Sequence, residues 1–384
     1  MQKKWIVRIV VILFALGAIN VCFLPPLGGV TPAPWPTLPT VPDGDNAWVD
    51  YEKAQKLLPP RLPDNYATDA ALLDRLKPAF DLLVAGAARP GYRSLKEAPT
   101  AYTQLPNLAA ERNLASLAVA EAARLEPEPG ARLLLAVYRM GTQRAEPSAT
   151  LIQPMVGQAV RSLALAGLWK WLQAGQGTPE TCLEVARTLH ACDQEFATPA
   201  QALDGETDSL LRSMELALVT QPGGGPMGSG AWFERMVGVR LRVYQATYNR
   251  LQEARAQLRP GMEQWDGDQV GQTEAAIRAR YDASPPVWQY LIIGDLIAHQ
   301  LMSITQPNYL VILQLFLQGR SDSAATQTFA VLAAYRKRHG SYPSELAPAF
   351  AEVKLEVPVD PRTARPIGYR VDNGVPVLWM PGPD

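Results

Sequence analysis

An apolar run from Trp5 to Leu24, interrupted only by Arg8 and Asn20 and preceded by Lys3 and Lys4, constrains this chain more than any other feature. Twenty residues at about 1.5 Å each match the ~30 Å hydrocarbon core of a bilayer. With basic residues on its N-terminal side, the run predicts a single transmembrane helix, residue 1 in the cytoplasm and the remaining chain outside a bacterial cytoplasmic membrane. Residues 1–24 are read as a lipid-embedded anchor bounded by Trp5 and Leu24, with the Arg8 guanidinium reaching the headgroups. Two alternatives stay open. One is signal cleavage at Ala15-Leu16-Gly17, which lies inside the run; the other is lipidation at Cys22, where Val21 stands before the cysteine.

Residues 25–45 read as a linker. Pro25 to Pro42 holds seven prolines, two glycines and no charge, so neither a helix nor a central strand can form. An extended polyproline conformation at ~3.1 Å per residue would hold the body up to about 55 Å from the bilayer. The chain has 384 residues and a net charge of -1, enough length for a large core and a balance that argues against nucleic-acid binding. Three histidines and three cysteines leave few groups for transition metals or nucleophilic catalysis.

Residues 46–320 are predicted to form an antiparallel, solenoid- or bundle-like array of amphipathic helices, without a fixed repeat period. Leu108, Ala115, Val119 and Ala122 share a face, and Glu126 to Gly130 is expected to separate that helix from one beginning at Ala131. Thr178-Pro179 reads as an N-cap and first helical residue. Phe233, Val237, Leu241, Tyr244, Tyr248 and Leu251 make a clear apolar stripe. The same helix carries Arg235, Arg240, Arg242, Arg250, Arg255 and Arg259 against only Glu234 and Glu253. Arg235, Arg242 and Arg250 are therefore candidates for a basic interaction face, with a solvated, locally ion-paired face as the alternative. After Pro260 a polar loop and a short helix near Ala275 to Arg280 are expected, then a buried helix at Tyr309 to Leu317.

Residues 321–384 follow a different grammar. A helix carrying Phe329, Leu332 and Tyr335 is expected to stop at Gly340, behind the basic run Arg336 to His339. Asn373-Gly374 between Ile367 to Val371 and Val375 to Trp379 predicts a β-hairpin. Tyr335-Arg336, Gly340-Ser341-Tyr342-Pro343, Leu346, Pro358-Val359-Asp360-Pro361, Pro366, Tyr369-Arg370 and Gly382-Pro383-Asp384 stand in an order that resembles the globular head of major pseudopilins of type II secretion. That resemblance covers about sixty residues and implies a helix followed by a small antiparallel sheet, an α+β module. The family's N-terminal processing motif does not stand at Trp5 to Leu24, and no calcium ligand carries over. The whole chain resembles uncharacterised bacterial membrane-anchored helical proteins bearing the same module, which implies a shape and no activity.

Few constellations suggest chemistry. Gly223, Gly225 and Gly228 match a dinucleotide-loop spacing but follow an expected helix and Pro222, where the motif needs a strand. Cys182, His190 and Cys192 diverge on one helix and lack a fourth metal ligand; a Cys182–Cys192 disulfide would require that helix to break. Asp266-Gly267-Asp268 lacks the other ligands of a calcium loop. Asp295 and His299, four apart on an apolar helix, are the one candidate catalytic pair, a carboxylate able to orient an imidazole. No metal, cofactor or nucleotide ligand is expected. The reading is a non-catalytic, membrane-anchored periplasmic scaffold or accessory subunit that binds other membrane or periplasmic proteins, in a secretion- or pilus-like assembly or a respiratory or photosynthetic complex. The alternatives are an extracytoplasmic enzyme using Asp295 and His299, or a peptide- or glycan-binding module.

Overall fold

The computed structural model describes residues 40–94, 107–145, 150–216, 237–283, 298–302 and 308–381. These are mainly helical, with one two-stranded antiparallel sheet near the C-terminus. The chain divides into two compact units, one made of Leu38–Ala98, Gln104–Ala202 and Val311–Asp384, the other centred on Leu203–Leu310. Trp5, Arg8 and Leu24 lie outside the described residues. Among the described residues, no helix is long and apolar enough to cross a membrane.

The first unit opens with a clamp. Asn46 caps α1 (Ala47–Lys56), its Oδ1 accepting from the Trp48 amide at 3.1 Å. The same oxygen accepts from the Arg93 amide at 2.9 Å, while Nδ2 donates to the Arg93 carbonyl at 3.0 Å. Main-chain bonds from Ala47 N to Gly91 O and from Gly91 N to Asp45 O complete the attachment. The short α2 (Ala70–Arg75) starts at Asp69, whose side chain accepts from Leu72 N. It leads into α3 (Lys77–Ala87), which packs along α1. Gly86 permits that approach: a Cβ there would lie 2.6 Å from Cε1 of Tyr51.

Helix α4 (Leu108–Ala122) is capped by Asn107 and buries Leu114, Ala115, Leu117, Ala118 and Ala122. Helix α5 (Pro127–Gln143) begins four residues before the expected Ala131. Proline is suited to the first turn, where amide groups have no helical acceptor, so Pro127 and Pro129 open this helix instead of separating it from its neighbour. Helix α6 (Ile152–Gln173) packs against α5 more extensively than any other pair. Gly141 and Gly157 meet where they cross, and a Cβ on Gly141 would lie 2.6 Å from the Gly157 carbonyl oxygen.

Thr178 caps α7 (Pro179–Glu195), accepting from Thr181 N with Pro179 in the first turn, as the sequence predicts. The helix is unbroken, so Cys182 and Cys192 sit ~15 Å apart along its axis. Both thiols are free and buried, and the disulfide alternative is not realised. Helices α8 (Pro199–Glu215), α9 (Val237–Gln264) and α10 (Gly267–Asp282) follow. Instead of ending before Pro260, α9 runs through it. Pro260 is exposed, and water can solvate a carbonyl that loses its partner to proline. Likewise α10 starts at Gly267 and not near Ala275, because Asp266 accepts from both Asp268 N and Gln269 N at 3.0 Å.

Helix α11 (Tyr309–His339) spans 31 residues and crosses 320 and 321 without a break. It ends at Gly340, whose φ of 80° places it in the left-handed region and whose amide bonds to Arg336 O at 2.8 Å. A short α12 (Leu346–Val353) seats Leu346, Ala349, Phe350 and Val353 in the core shared by α1 to α7 and the C-terminal half of α11. The hairpin forms about the predicted Asn373-Gly374 turn: β1 (Gly368–Asp372), one residue later than the expected run Ile367 to Val371, pairs with β2 (Val375–Trp379), Asp372 opposite Val375. Asn373 and Gly374 both have positive φ, the signature of a type I′ turn, whose twist suits paired strands.

Candidate functional site

The residues singled out by sequence separate on inspection. Asp295 and Arg235 lie outside the described residues, as does the side chain of Arg242; Arg250 is half-buried on α9. His299 is 5% exposed. Its Nε2 donates to the Ala283 carbonyl at 3.1 Å, at the end of α10, and its ring packs edge-on to Tyr281 with centroids 5.4 Å apart. That bond fixes the proton on Nε2 and closes off one nitrogen of the imidazole.

Farther along α9 the basic residues meet carboxylates of α8 and of α9 itself. Arg255 pairs with Asp204 at 2.6 Å and Asp208 at 3.1 Å, Arg259 pairs with Asp204 and Glu263, and Arg280 of α10 pairs with Glu253. The excess of arginine seen in the helix by itself is therefore offset here by α8. The space between Thr207, Leu251, Leu258, Ile277, Met302 and Tyr309 amounts to about 10 Å³, at the limit for one water molecule. It is a packing defect in the core.

The first unit contains a roomier feature, a groove of about 170 Å³ between α7, α11 and the extended segment 356–361. His190, Asp193 and Gln194 come from one face of α7, the latter two lying three and four residues after His190; Arg320, Ala324 and Gln327 come from α11, at successive spacings of four and three. Glu356, Val357, Pro358, Val359 and Pro361 close the third side. Beneath this groove runs a buried polar network. Asp193 accepts from the Tyr138 hydroxyl at 2.8 Å and pairs with Arg161, which is completely buried. The Arg161 guanidinium also covers the rings of Tyr138 and Phe196 at 4.6 and 4.1 Å, and Tyr138 meets Ser323 at 2.8 Å. Arg320 donates to the Asp193 carbonyl at 2.6 Å. Burial raises the Tyr138 phenol above its usual range, so it stays protonated as a donor. The network ties α5, α6, α7 and α11 together and holds the polar wall in place.

Gln327 stands out on that wall. It is 3% exposed, and its Nε2 has neither a hydrogen-bond partner nor contact with solvent. Sequence reasoning missed this cluster because its members come from separate helices. One local signal existed: Arg161 lies among Val160, Ala164 and Leu165 on the buried face of α6.

A second buried charge pair joins Glu111 of α4 to Arg144 at 2.9 Å, with Arg144 also donating to the Tyr92 hydroxyl. Burial pushes the Glu111 carboxyl up to about 7, against the pull of Arg144. Burial likewise raises the Cys182 thiol to about 11 and lifts Cys192. Among the described residues, no three His, Cys, Asp or Glu side chains are gathered so as to hold a metal ion.

Fold and site together define a mainly helical protein with a small C-terminal β-hairpin and a polar groove over a buried ionic network. No family model, curated protein or solved structure matches the chain.

Proposed function

We propose that this chain is a non-catalytic, membrane-anchored accessory subunit or scaffold whose C-terminal module contacts a partner protein outside the cytoplasmic membrane. One observation carries the reading. Among the described residues, Val375 and Trp379 are exposed by 61 and 45% and stand on one face of the hairpin, opposite Asp372 and Gly368, while exposed Val371 stands on the other face. Isolated exposed apolar residues are ordinary, whereas grouped ones mark interaction surfaces. The hairpin that carries them has only two strands, so its outer edges also offer unpaired main-chain groups to a neighbour. The apolar run Trp5 to Leu24 supports the anchor, and the proline-rich stretch after it supports a stand-off from the bilayer. The resemblance of residues 321–384 to pseudopilin heads favours a secretion- or pilus-like assembly; a respiratory or photosynthetic complex would suit a single-span accessory subunit equally.

The test is gentle detergent extraction of the native membrane, followed by sizing and mass spectrometry of wild type and of the double variant Val375→Asp, Trp379→Ser. Wild type is expected to travel with a defined membrane complex at fixed stoichiometry, and the variant to leave that complex while remaining folded. Migration of the wild-type chain alone, or unchanged association of the variant, would overturn the assignment.

A further inference from the structure

We propose that the outer edge of β1 pairs with the same edge of a second copy of this chain, antiparallel about a two-fold axis at Val371. Main-chain direction decides which edge is open. In a hairpin with a two-residue turn, the flanking residues Asp372 and Val375 exchange both of their bonds, so Tyr369 and Val371 direct their N–H and C=O groups away from β2. The chain before the strand follows the same alternation: Ile367 N donates outward to Pro358 O at 3.0 Å, and Arg365 O accepts from Asp360 N at 2.8 Å. Beyond Ile367 that side is bare. Among the described residues, neither Tyr369 nor Val371 has a main-chain partner there, and Arg370, Val371 and Asp372 are exposed. The outer edge of β2 is interrupted by Pro376, which stands opposite Val371 and has no N–H to offer.

Charge selects the occupant. Arg370 and Asp372 stand two apart on one face of the strand, with Arg370 Nε 2.9 Å from Asp372 Oδ2. A strand bearing opposite charges two apart is its own antiparallel complement. With the axis at Val371, Arg370 of each copy lies opposite Asp372 of the other, and the two Val371 residues exchange both main-chain bonds and cover each other's exposed side chains. Moving the axis to Arg370 would set two arginines directly opposite, which disfavours that register. Length agrees as well. The open stretch runs from Tyr369 to the turn at Asn373-Gly374, and in the proposed pairing the turn of one copy ends beside Tyr369 of the other, short of Ile367, whose amide is already taken. Two hairpins would then form a four-stranded sheet, sturdier than either hairpin alone. The inference rests on reading the C-terminal module as a contact surface and names the occupant of one edge; the face holding Val375 and Trp379 stays open to a different protein.

Sedimentation velocity of the purified full-length chain in mild detergent tests this with charge reversals at two exposed positions. Wild type is expected to dimerise reversibly with a dissociation constant of about 0.1 mM, a weak contact suited to so short an edge. Asp372→Arg leaves only positive charge at this edge and Arg370→Asp only negative, so each variant should self-associate about tenfold more weakly. An equimolar mixture of the two should recover dimers as tight as those of wild type. Arg370→Asp and Asp372→Arg combined in one chain should also restore dimers, because the swap preserves the complement. Circular dichroism of every variant should match wild type, both positions being exposed. A wild type that stays monomeric at about ten times the expected constant, dimers unaffected by either single reversal, or a mixture no tighter than its components would overturn the inference. A monomeric chain that still travels with a membrane complex would remove this pairing alone and leave the partner reading standing.

Discussion

The Glu111–Arg144 pair converts burial into a measurable dependence of stability on pH. Both side chains are almost fully enclosed, and the Glu111 carboxyl rises from 4.5 to about 7 in the folded protein, burial outweighing the attraction of Arg144. A raised carboxyl means that the folded state holds its proton more tightly than the unfolded state. The contribution is therefore complete below about pH 4.5 and is lost as pH climbs through 7. The difference of about 2.5 pH units, at 1.36 kcal/mol each, corresponds to roughly 3 kcal/mol, within a factor of two. Glu111→Gln keeps the shape and cannot titrate. Urea unfolding of wild type and variant between pH 4.5 and 8 gives two curves whose difference cancels every other titrating group. Wild-type stability relative to the variant should fall by about 3 kcal/mol across that range. A flat difference would show that the carboxyl is solvated in the folded state. A rising difference would show that the ion pair with Arg144 outweighs desolvation, refuting the balance argued from burial.

Gly141→Ala forces a methyl group toward the Gly157 carbonyl, 2.6 Å from its ideal position, and overpacking outweighs the gain in helix propensity; thermal unfolding should show a loss of about 1–2 kcal/mol. Arg161→Met leaves Asp193 buried without its counter-charge, a change expected to cost about 3–5 kcal/mol by urea unfolding, whereas Arg161→Met combined with Asp193→Leu should recover much of that loss. Cys182 and Cys192 are buried with raised thiol pKa values, so a thiol reagent at pH 8 should label them at the rate of unfolding, and rapid labelling in the native state would contradict their placement.

Local chemistry was legible in the sequence where one residue decided it. Thr178-Pro179, Gly340 and Asn373-Gly374 mark their helix start, helix end and turn because caps and positive φ are short-range requirements. Proline misled where context mattered: Pro127 and Pro129 open a helix, and Pro260 is carried inside one on an exposed face. Length was hidden for a similar reason. Polar Ser323, Thr326, Gln327 and Thr328 interrupt the apolar pattern of α11 yet are buried, and Thr326 and Thr328 return their hydroxyls to the carbonyls four residues back. The groove was out of reach because it depends on which faces of α7 and α11 the tertiary fold brings together. The candidate pair fared differently at its two ends: His299 has an evident structural partner in Ala283, and Asp295 lies outside the described residues.

The attachment of Asn46 to Gly91 and Arg93 has a mechanical meaning. Tension arriving along the chain ahead of Asn46 cannot peel α1 turn by turn, because side-chain and main-chain bonds at residues 45–47 pass the load directly to the segment after α3. Several hydrogen bonds must yield together before the first helix turn is strained. The fold thus has a reinforced entry point, its first helix pinned at the first turn by bonds to the segment after α3.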